Sequence, residues 1–266
     1  MPELPEVEVI VRELRNKIIG EEIKDITALW YKSLVIVYAV PIQGKCIQAI
    51  DRRGKYIIVC LNQGYLIIHL RMTGQLIVNE TSENASERHL RVIVDFLSGK
   101  KLYFYDARKF GRIYYITELE KFFEHIGMDA LHPAHTMTRF SELINKRKGR
   151  IKTVLMDQSI VAGLGNIYAD ESLFRAGIHP ERSADSLTVR TRAALWSSIV
   201  DTLQTAINNM GTTLANYRTT GGGFGTNQNF LMVYDRADDP CYNCKTPIKK
   251  IRINGRGTHF CPNCQI

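Results

Sequence analysis

The chain has 266 residues, 45% hydrophobic and 23% charged, the balance of a globular protein with room for one large domain or two ordinary ones. Its net charge of +8 points to a polyanionic partner, most simply nucleic acid. No apolar run reaches the ~18–20 residues of a membrane span, and the acidic N-terminus is not a basic-then-apolar export signal. Four of the six cysteines fall in two Cys-x-x-Cys pairs near the C-terminus, which reads as metal binding in a reducing compartment. Cys46 and Cys60 read as buried thiols.

The chain opens Met1-Pro2-Glu3-Leu4-Pro5-Glu6. Removal of the start methionine leaves Pro2 with a free secondary amine, a group that titrates near pH 8 and is therefore partly neutral at working pH. A neutral amine can attack an electrophilic carbon to form an iminium, and the adjacent Glu3 can move protons for that reaction. The same residues also suit a plain helix start, with proline in the first turn and acids at the positive end of the helix dipole. A retained Met1 would turn the Pro2 nitrogen into an inert amide.

Val7, Ile10, Val11, Leu14, Ile18 and Ile19 recur at helical spacing up to Gly20, which predicts a helix whose apolar stripe packs on a sheet. Strands are predicted at 34–38, 56–60, 65–70, 92–97, 102–105 and 112–116, with turns at Asn62-Gln63-Gly64 and Ser98-Gly99. An antiparallel sandwich or barrel with one helix laid against it follows.

Four polar insertions interrupt this apolar fabric. They are Arg52-Arg53-Gly54-Lys55 ahead of a strand, Arg71-Met72-Thr73-Gly74 at a strand end, Arg88-His89-Leu90-Arg91, and Asp106-Ala107-Arg108-Lys109-Phe110-Gly111. Each alone reads as a solvated loop with one buried hydrophobe. Together they offer phosphate-binding cations, with Lys55 at the sheet's edge and with Met72 and Phe110 as apolar wedges of the kind that enter base steps.

His132-Pro133-Ala134-His135 breaks the strand pattern and marks a boundary, its histidines reading as structural or solvated. Lys146-Arg147-Lys148-Gly149-Arg150-Ile151-Lys152 reads as a solvated face or a phosphate contact. Gly163-Leu164-Gly165-Asn166-Ile167-Tyr168 half-resembles a dinucleotide fingerprint, but no strand clearly precedes it and Tyr168 replaces the third glycine. A turn opening a helix fits better, with Asn166 at the start, where unpaired amides can hold a phosphate, and Gly177 as the stop. Leu195, Ile199, Leu203 and Ile207 predict a further amphipathic helix ending near Gly211, so the region reads as an all-α module.

Gly221-Gly222-Gly223-Phe224-Gly225 lacks the ending of a nucleotide-binding loop and reads as a mobile loop of the kind that covers ligands. Cys241-x-x-Cys244, sixteen residues and Cys261-x-x-Cys264 fit a four-cysteine structural zinc site. Between the pairs, Asn254-Gly255 is a strong hairpin turn signal with Arg256 at the tip. Residues 241–266 contain Lys245, Lys249, Lys250, Arg252 and Arg256 and no acid, so the zinc staples a small cationic ribbon whose folding energy the metal supplies.

Taken together, Met-Pro-Glu-Leu-Pro-Glu, Arg53-Gly54-Lys55, Asp106-x-Arg108-Lys109-Phe110-Gly111, Gly163 to Glu171 and the terminal zinc finger resemble the formamidopyrimidine-DNA glycosylases, in the family shared with endonuclease VIII, nearly end to end. The resemblance implies an α+β fold: an N-terminal antiparallel β-sandwich domain with a leading helix (1–131), a helix–two-turns–helix module (132–220), a glycine-rich lesion-capping loop and lead-in strand (221–240), and a zinc-finger β-hairpin (241–266). It implies base-excision repair of oxidised purines, with Pro2 as Schiff-base nucleophile, Glu3 as proton donor to the sugar and Glu6 as an active-site acid. Lys55 then contacts phosphate and assists β-elimination, and Arg256 grips phosphate beside the lesion and serves δ-elimination. Met72, Arg108 and Phe110 fill the gap left by the flipped nucleotide, while His89, Lys148 and Asn166 match backbone-binding positions. Cys241, Cys244, Cys261 and Cys264 hold one structural zinc ion. The implied setting is a monomer on lesion-bearing or abasic duplex DNA, cytoplasmic and nucleoid-associated, with no membrane partner. Thr226 and Asn227 precede Gln228 where aromatics are common in the family, which leaves lesion preference open toward oxidised pyrimidines. A non-catalytic binder of damaged DNA is the alternative from another class.

Overall fold

The computed structural model describes residues 1–37, 40–79, 88–215 and 217–266. The chain divides into two compact units, Met1–Glu124 with Asn209–Gln228, and His125–Asn208 with Asn229–Ile266.

The first unit begins with α1 (Leu4–Ile18). Pro5 lies in its first turn, and Glu3 and Glu6 form a reciprocal capping box in which each side chain accepts the other's backbone N–H. Val7, Ile10, Val11, Leu14 and Ile18 are buried, and α1 packs on the sheets; Gly20 ends the run at φ +86°, its amide donating to Ile47 O at 2.8 Å.

Two sheets face each other in this unit. The five-stranded sheet runs β2 (Leu34–Ile36), β9 (Arg112–Ile116), β5 (Tyr65–His69), β4 (Tyr56–Leu61), β3 (Ile47–Arg53), with only β2–β9 parallel. The four-stranded antiparallel sheet runs β1 (Ile23–Ala28), β7 (Leu90–Phe96), β8 (Lys101–Asp106), β6 (Gly74–Asn79). Ile57, Ile68 and Ile113 from one sheet and Val92, Val94 and Phe104 from the other share one apolar core with the stripe of α1. The expected sandwich with its leading helix is therefore present. Tyr38, the last residue of the strand expected at 34–38, lies outside the described residues. Cys46 and Cys60 are half-exposed rather than buried. The short α2 (Leu119–Phe122) closes this part of the chain.

Three strands of this unit escape the sequence reading, and all are sheet edges: β1, β6 and β3. An edge strand buries little on its outer side, so its apolar alternation is diluted, as the polar stretch Ile23-Lys24-Asp25-Ile26-Thr27-Ala28 shows. Arg52 and Arg53 accordingly belong to β3 itself rather than to a loop before a strand.

In the second unit, α3 (Met137–Asn145), α4 (Ile151–Met156), α5 (Asn166–Arg175) and α6 (Val189–Asn208) pack around Phe140, Ile144, Leu195, Ile199 and Leu203. Thr136 caps α3 by accepting the Arg139 amide. The region is not all-α: β10 (Met128–Asp129) and β11 (Val161–Ala162) form a short parallel pair. The hairpin of β12 (Lys249–Ile253) and β13 (Arg256–Phe260) turns at Asn254 (φ +46°) and Gly255 (φ +76°), the two left-handed residues that a type I′ turn needs. Among the described residues no helix is long and apolar enough to cross a membrane.

Candidate functional site

Pro2, Glu3 and Glu6 are all buried, Glu3 at 3% and Glu6 at 1% exposure. Glu6 spends both carboxylate oxygens on backbone amides: Oε2 accepts Glu3 N at 2.7 Å and Oε1 accepts Thr212 N at 2.7 Å. Glu6 thus sets the backbone of Glu3 and fixes residue 212 to the head of α1.

Lys55 departs from expectation. It lies in the β3–β4 turn beside Gly54 (φ +57°), but its side chain is buried rather than displayed at the sheet's edge. Its neighbour is His69, a residue the sequence reading passed over. The Nδ1 of His69 accepts the Arg71 amide at 3.0 Å, so the ring proton sits on Nε2. Burial, followed by the charges of Arg71 and Lys55, pushes the His69 pKa down to about 3. The available signal was a lone polar residue ending the apolar run Leu66-Ile67-Ile68.

Met72 and Phe110 are exposed at 40% and 49%, and the Arg108 guanidinium lies 4.8 Å from the Phe110 ring centre. Three non-glycine residues in these loops take left-handed backbone conformations, Arg71 (φ +53°), His89 (φ +73°) and Lys109 (φ +61°), a strain of about 1 kcal/mol each. What holds them is Asp106, fully buried. Its Oδ1 accepts the Thr73 hydroxyl and Arg108 N (3.1 Å), and its Oδ2 accepts Gly111 N at 2.7 Å. Its own amide donates to His89 O at 2.8 Å, and its carbonyl accepts Arg91 Nε at 2.8 Å. One residue therefore ties together the loops carrying Met72, His89, Arg108 and Phe110. Lys109 also caps the Trp30 ring at 4.3 Å.

In the second unit Asn166 opens α5, as the glycine turn predicts. Its Nδ2 donates to Gly257 O at 2.9 Å, and its buried Oδ1 has no partner among the described residues. Asn166, Tyr234, Lys250 and Arg252 line a depression of about 580 Å³. Tyr234 was missed; an aromatic shortly before the first zinc-finger cysteine was its only signal. Arg256 is exposed at the hairpin tip and lines a second depression of about 270 Å³. Lys148 is exposed. Lys152, from the same basic run, is not: it is 1% exposed and pairs with Asp170 at 2.7 Å.

The four cysteine Sγ atoms lie within 4.8 Å of one another, with Cys241–Cys264 at 3.9 Å and Cys244–Cys261 at 3.4 Å. Tetrahedral zinc with ~2.3 Å bonds requires sulfur atoms roughly 3.8 Å apart, so the donor set fits that ion. The Cys264 amide donates to Cys261 Sγ at 3.4 Å.

Three sequence families match in chain order: the formamidopyrimidine-DNA glycosylase N-terminal domain over residues 1–113, the formamidopyrimidine-DNA glycosylase H2TH domain over 126–217, and the zinc finger found in FPG and IleRS over 238–266. The chain belongs to the formamidopyrimidine-DNA glycosylase family. It is 40% identical to a formamidopyrimidine-DNA glycosylase of Herpetosiphon aurantiacus across the full length of both chains. A solved structure of MutM in complex with DNA containing carbocyclic 8-oxo-G is similar at a TM-score of 0.89 and 38% identity, covering 99% of each chain. The wild-type Lactococcus lactis Fpg, solved with DNA containing an oxidised pyrimidine, is similar at a TM-score of 0.90 and 37% identity, again over 99% of each chain. The zinc-finger match and the sulfur geometry agree on a structural zinc site.

Proposed function

We propose that this chain is a bifunctional DNA glycosylase and abasic-site lyase that removes oxidised purines from duplex DNA. The observation that carries the reading is the head of α1, where Pro2 and Glu3 lie buried side by side and Glu6 fixes the Glu3 backbone. Buried groups of this kind work on a nucleotide everted from the stack. Once Met1 is removed, the Pro2 nitrogen attacks C1′, the bond from C1′ to the base breaks, and Glu3 protonates the ring oxygen as the sugar opens. The resulting iminium acidifies C2′–H; loss of that proton expels the 3′ phosphate, and a second elimination expels the 5′ phosphate. Lys55 assists the first elimination and Arg256 holds phosphate for the second.

Met72, Arg108 and Phe110 occupy the gap in the duplex. His89, Lys148 and Asn166 hold the backbone, and Tyr234 and Lys250 join Asn166 around one depression. The segment 209–228 covers the everted base. The protein acts as a monomer in the cytoplasm. Zinc supplies folding energy to the hairpin that carries Arg256 and takes no part in bond breaking.

The test is borohydride trapping on duplexes carrying 8-oxoguanine, thymine glycol or an abasic site, run beside mass analysis of the N-terminus. A covalent adduct that is lost in Pro2→Gly is expected from protein beginning at Pro2. No adduct from such protein would leave a damaged-DNA binder. The oxidised-pyrimidine complex of a similar protein favours thymine glycol as the second reading, and faster turnover of that lesion would select it.

A further inference from the structure

Glu13 has no part in the chemistry above, yet it stands two turns beyond Glu6 on the same face of α1. The two carboxylates hold the two ends of one segment. Glu6 Oε1 accepts Thr212 N, and Glu13 Oε2 accepts both Thr220 N at 2.6 Å and Thr220 Oγ1 at 2.7 Å. Thr220 is fully buried, and its carbonyl accepts Val78 N from β6 at 3.2 Å. Its charged, doubled hydrogen bond is the stronger kind, because a carboxylate is the acceptor.

An exposed turn follows that anchor directly. Thr219 N donates to Gly223 O at 3.0 Å and Gly222 N to Thr219 O at 2.9 Å, which closes residues 219–223 into a small turn. Gly221, Gly222, Gly223 and Phe224 are exposed, and Arg218 covers the Phe224 ring at 4.0 Å. On the return side, Gly225 N donates to Thr213 Oγ1 at 2.9 Å, and Thr226 N donates to Asn209 O at 2.9 Å. Asn227 Nδ2 donates to Thr212 Oγ1 at 2.8 Å, and Gln228 Oε1 accepts Thr213 N at 2.9 Å. Thr226, Asn227 and Gln228, the positions where the family pattern is broken, are thus occupied in tying the stem together. The turn itself is joined to α1 through Glu13.

We infer that Glu13 is a positioning residue for lesion selection: by gripping Thr220 it fixes the 219–224 turn relative to the helix that carries Pro2 and Glu3. The inference rests on the proposed role of 209–228 as the base-covering segment. An abasic sugar offers no base to cover, so its cleavage needs Pro2 and Glu3 but not a seated turn. Excision of an intact lesion needs both.

The experiment compares wild type, Glu13→Ala and Glu13→Gln in single-turnover excision of 8-oxoguanine and in incision of a preformed abasic site. Amide exchange at Thr212 and Thr220 is measured on the same proteins. Glu13→Ala should lose about tenfold or more in excision, as expected for two charge-assisted hydrogen bonds, with abasic incision held within about twofold. Glu13→Gln keeps an acceptor oxygen and should recover most of the loss. The Thr220 amide should lose protection in Glu13→Ala while the Thr212 amide keeps it. Equal loss of both activities, unchanged excision, or a Thr220 amide still protected in Glu13→Ala overturns the inference. A wild-type protein that incises neither substrate refutes the enzymatic reading instead, and lesion selection falls with it, while the exchange data still report whether Glu13 grips the turn.

Discussion

Lys152 and Asp170 form a buried ion pair at the junction of α4, α5 and β13, each 1% exposed. The Lys152 ammonium pairs with Asp170 Oδ1 at 2.7 Å and donates hydrogen bonds to Gly257 O (3.1 Å) and Thr258 Oγ1 (2.9 Å). Asp170 Oδ2 accepts His259 N at 2.9 Å. Truncation by Asp170→Ala removes the carboxylate from a buried ammonium and frees the His259 amide. Breaking such a pair from one side costs about 3–5 kcal/mol, against a total stability of about 5–15 kcal/mol for a domain. At about 4 °C for each kcal/mol, melting should fall by some 12–20 °C with zinc present. Because the pair acts by leaving no buried charge unpaired, Lys152→Met combined with Asp170→Leu should recover most of that loss. Calorimetry on wild type and the two variants decides the matter. An Asp170→Ala protein within about 1 kcal/mol of wild type, or a double variant no better than the single, would refute the reasoning.

Two further outcomes follow from the site. Because His69 is held neutral, with its pKa depressed to about 3 from an ordinary value of 6.5, the unfolded chain binds a proton between those limits that the folded chain does not. Stability should therefore fall as pH drops from about 6.5 toward 3, by up to about 1.4 kcal/mol per unit, and a His69→Gln protein melted across that range should show a shallower slope; an unchanged slope counts against the assignment. Arg256→Ala should weaken DNA binding and flatten its dependence on log salt by about 0.9 for each phosphate no longer neutralised, measured by titration at several salt concentrations; an unaltered slope would mean that Arg256 does not touch phosphate.

Periodicity and turn chemistry revealed the elements that bury a whole face. The stripe of α1, the core strands β4, β5, β7, β8 and β9, and the Asn254-Gly255 hairpin all answer to local rules. Three of the four edge strands of these sheets, β1, β3 and β6, did not, because a strand paired on one side only has little apolar surface to declare: β3 buries Ile47 and Ile50 and exposes or half-exposes the rest. Side-chain depth was also illegible within a run. Lys148 and Lys152 stand four residues apart in one basic stretch, yet one is exposed and the other is buried. Nothing local distinguishes them, since Asp170, the reason for Lys152's burial, lies on another helix.

Partners remote in sequence also decide where the acids go in a chain of net charge +8. Several of the segments named in the proposed function are fixed by a carboxylate turned inward onto backbone amides. Glu6 and Glu13 hold 212 and 220, Asp106 holds the loops of Met72 and Phe110, Asp170 holds β13, and Glu171 accepts the amides of Met232 (2.8 Å), Val233 (2.9 Å) and Tyr234 (2.8 Å). For Glu171, burial pushes the pKa up while those three amides pull it down. Spent in this way, the acids rigidify these loops without placing negative charge at the surface beside their exposed cations. A carboxylate set on the surface to do the same job would weaken the attraction for a polyanion. Inward acids and outward bases are thus one solution to two demands, rigid loops and an undiminished positive field, and each such acid bonds to a segment that sequence spacing alone could not name.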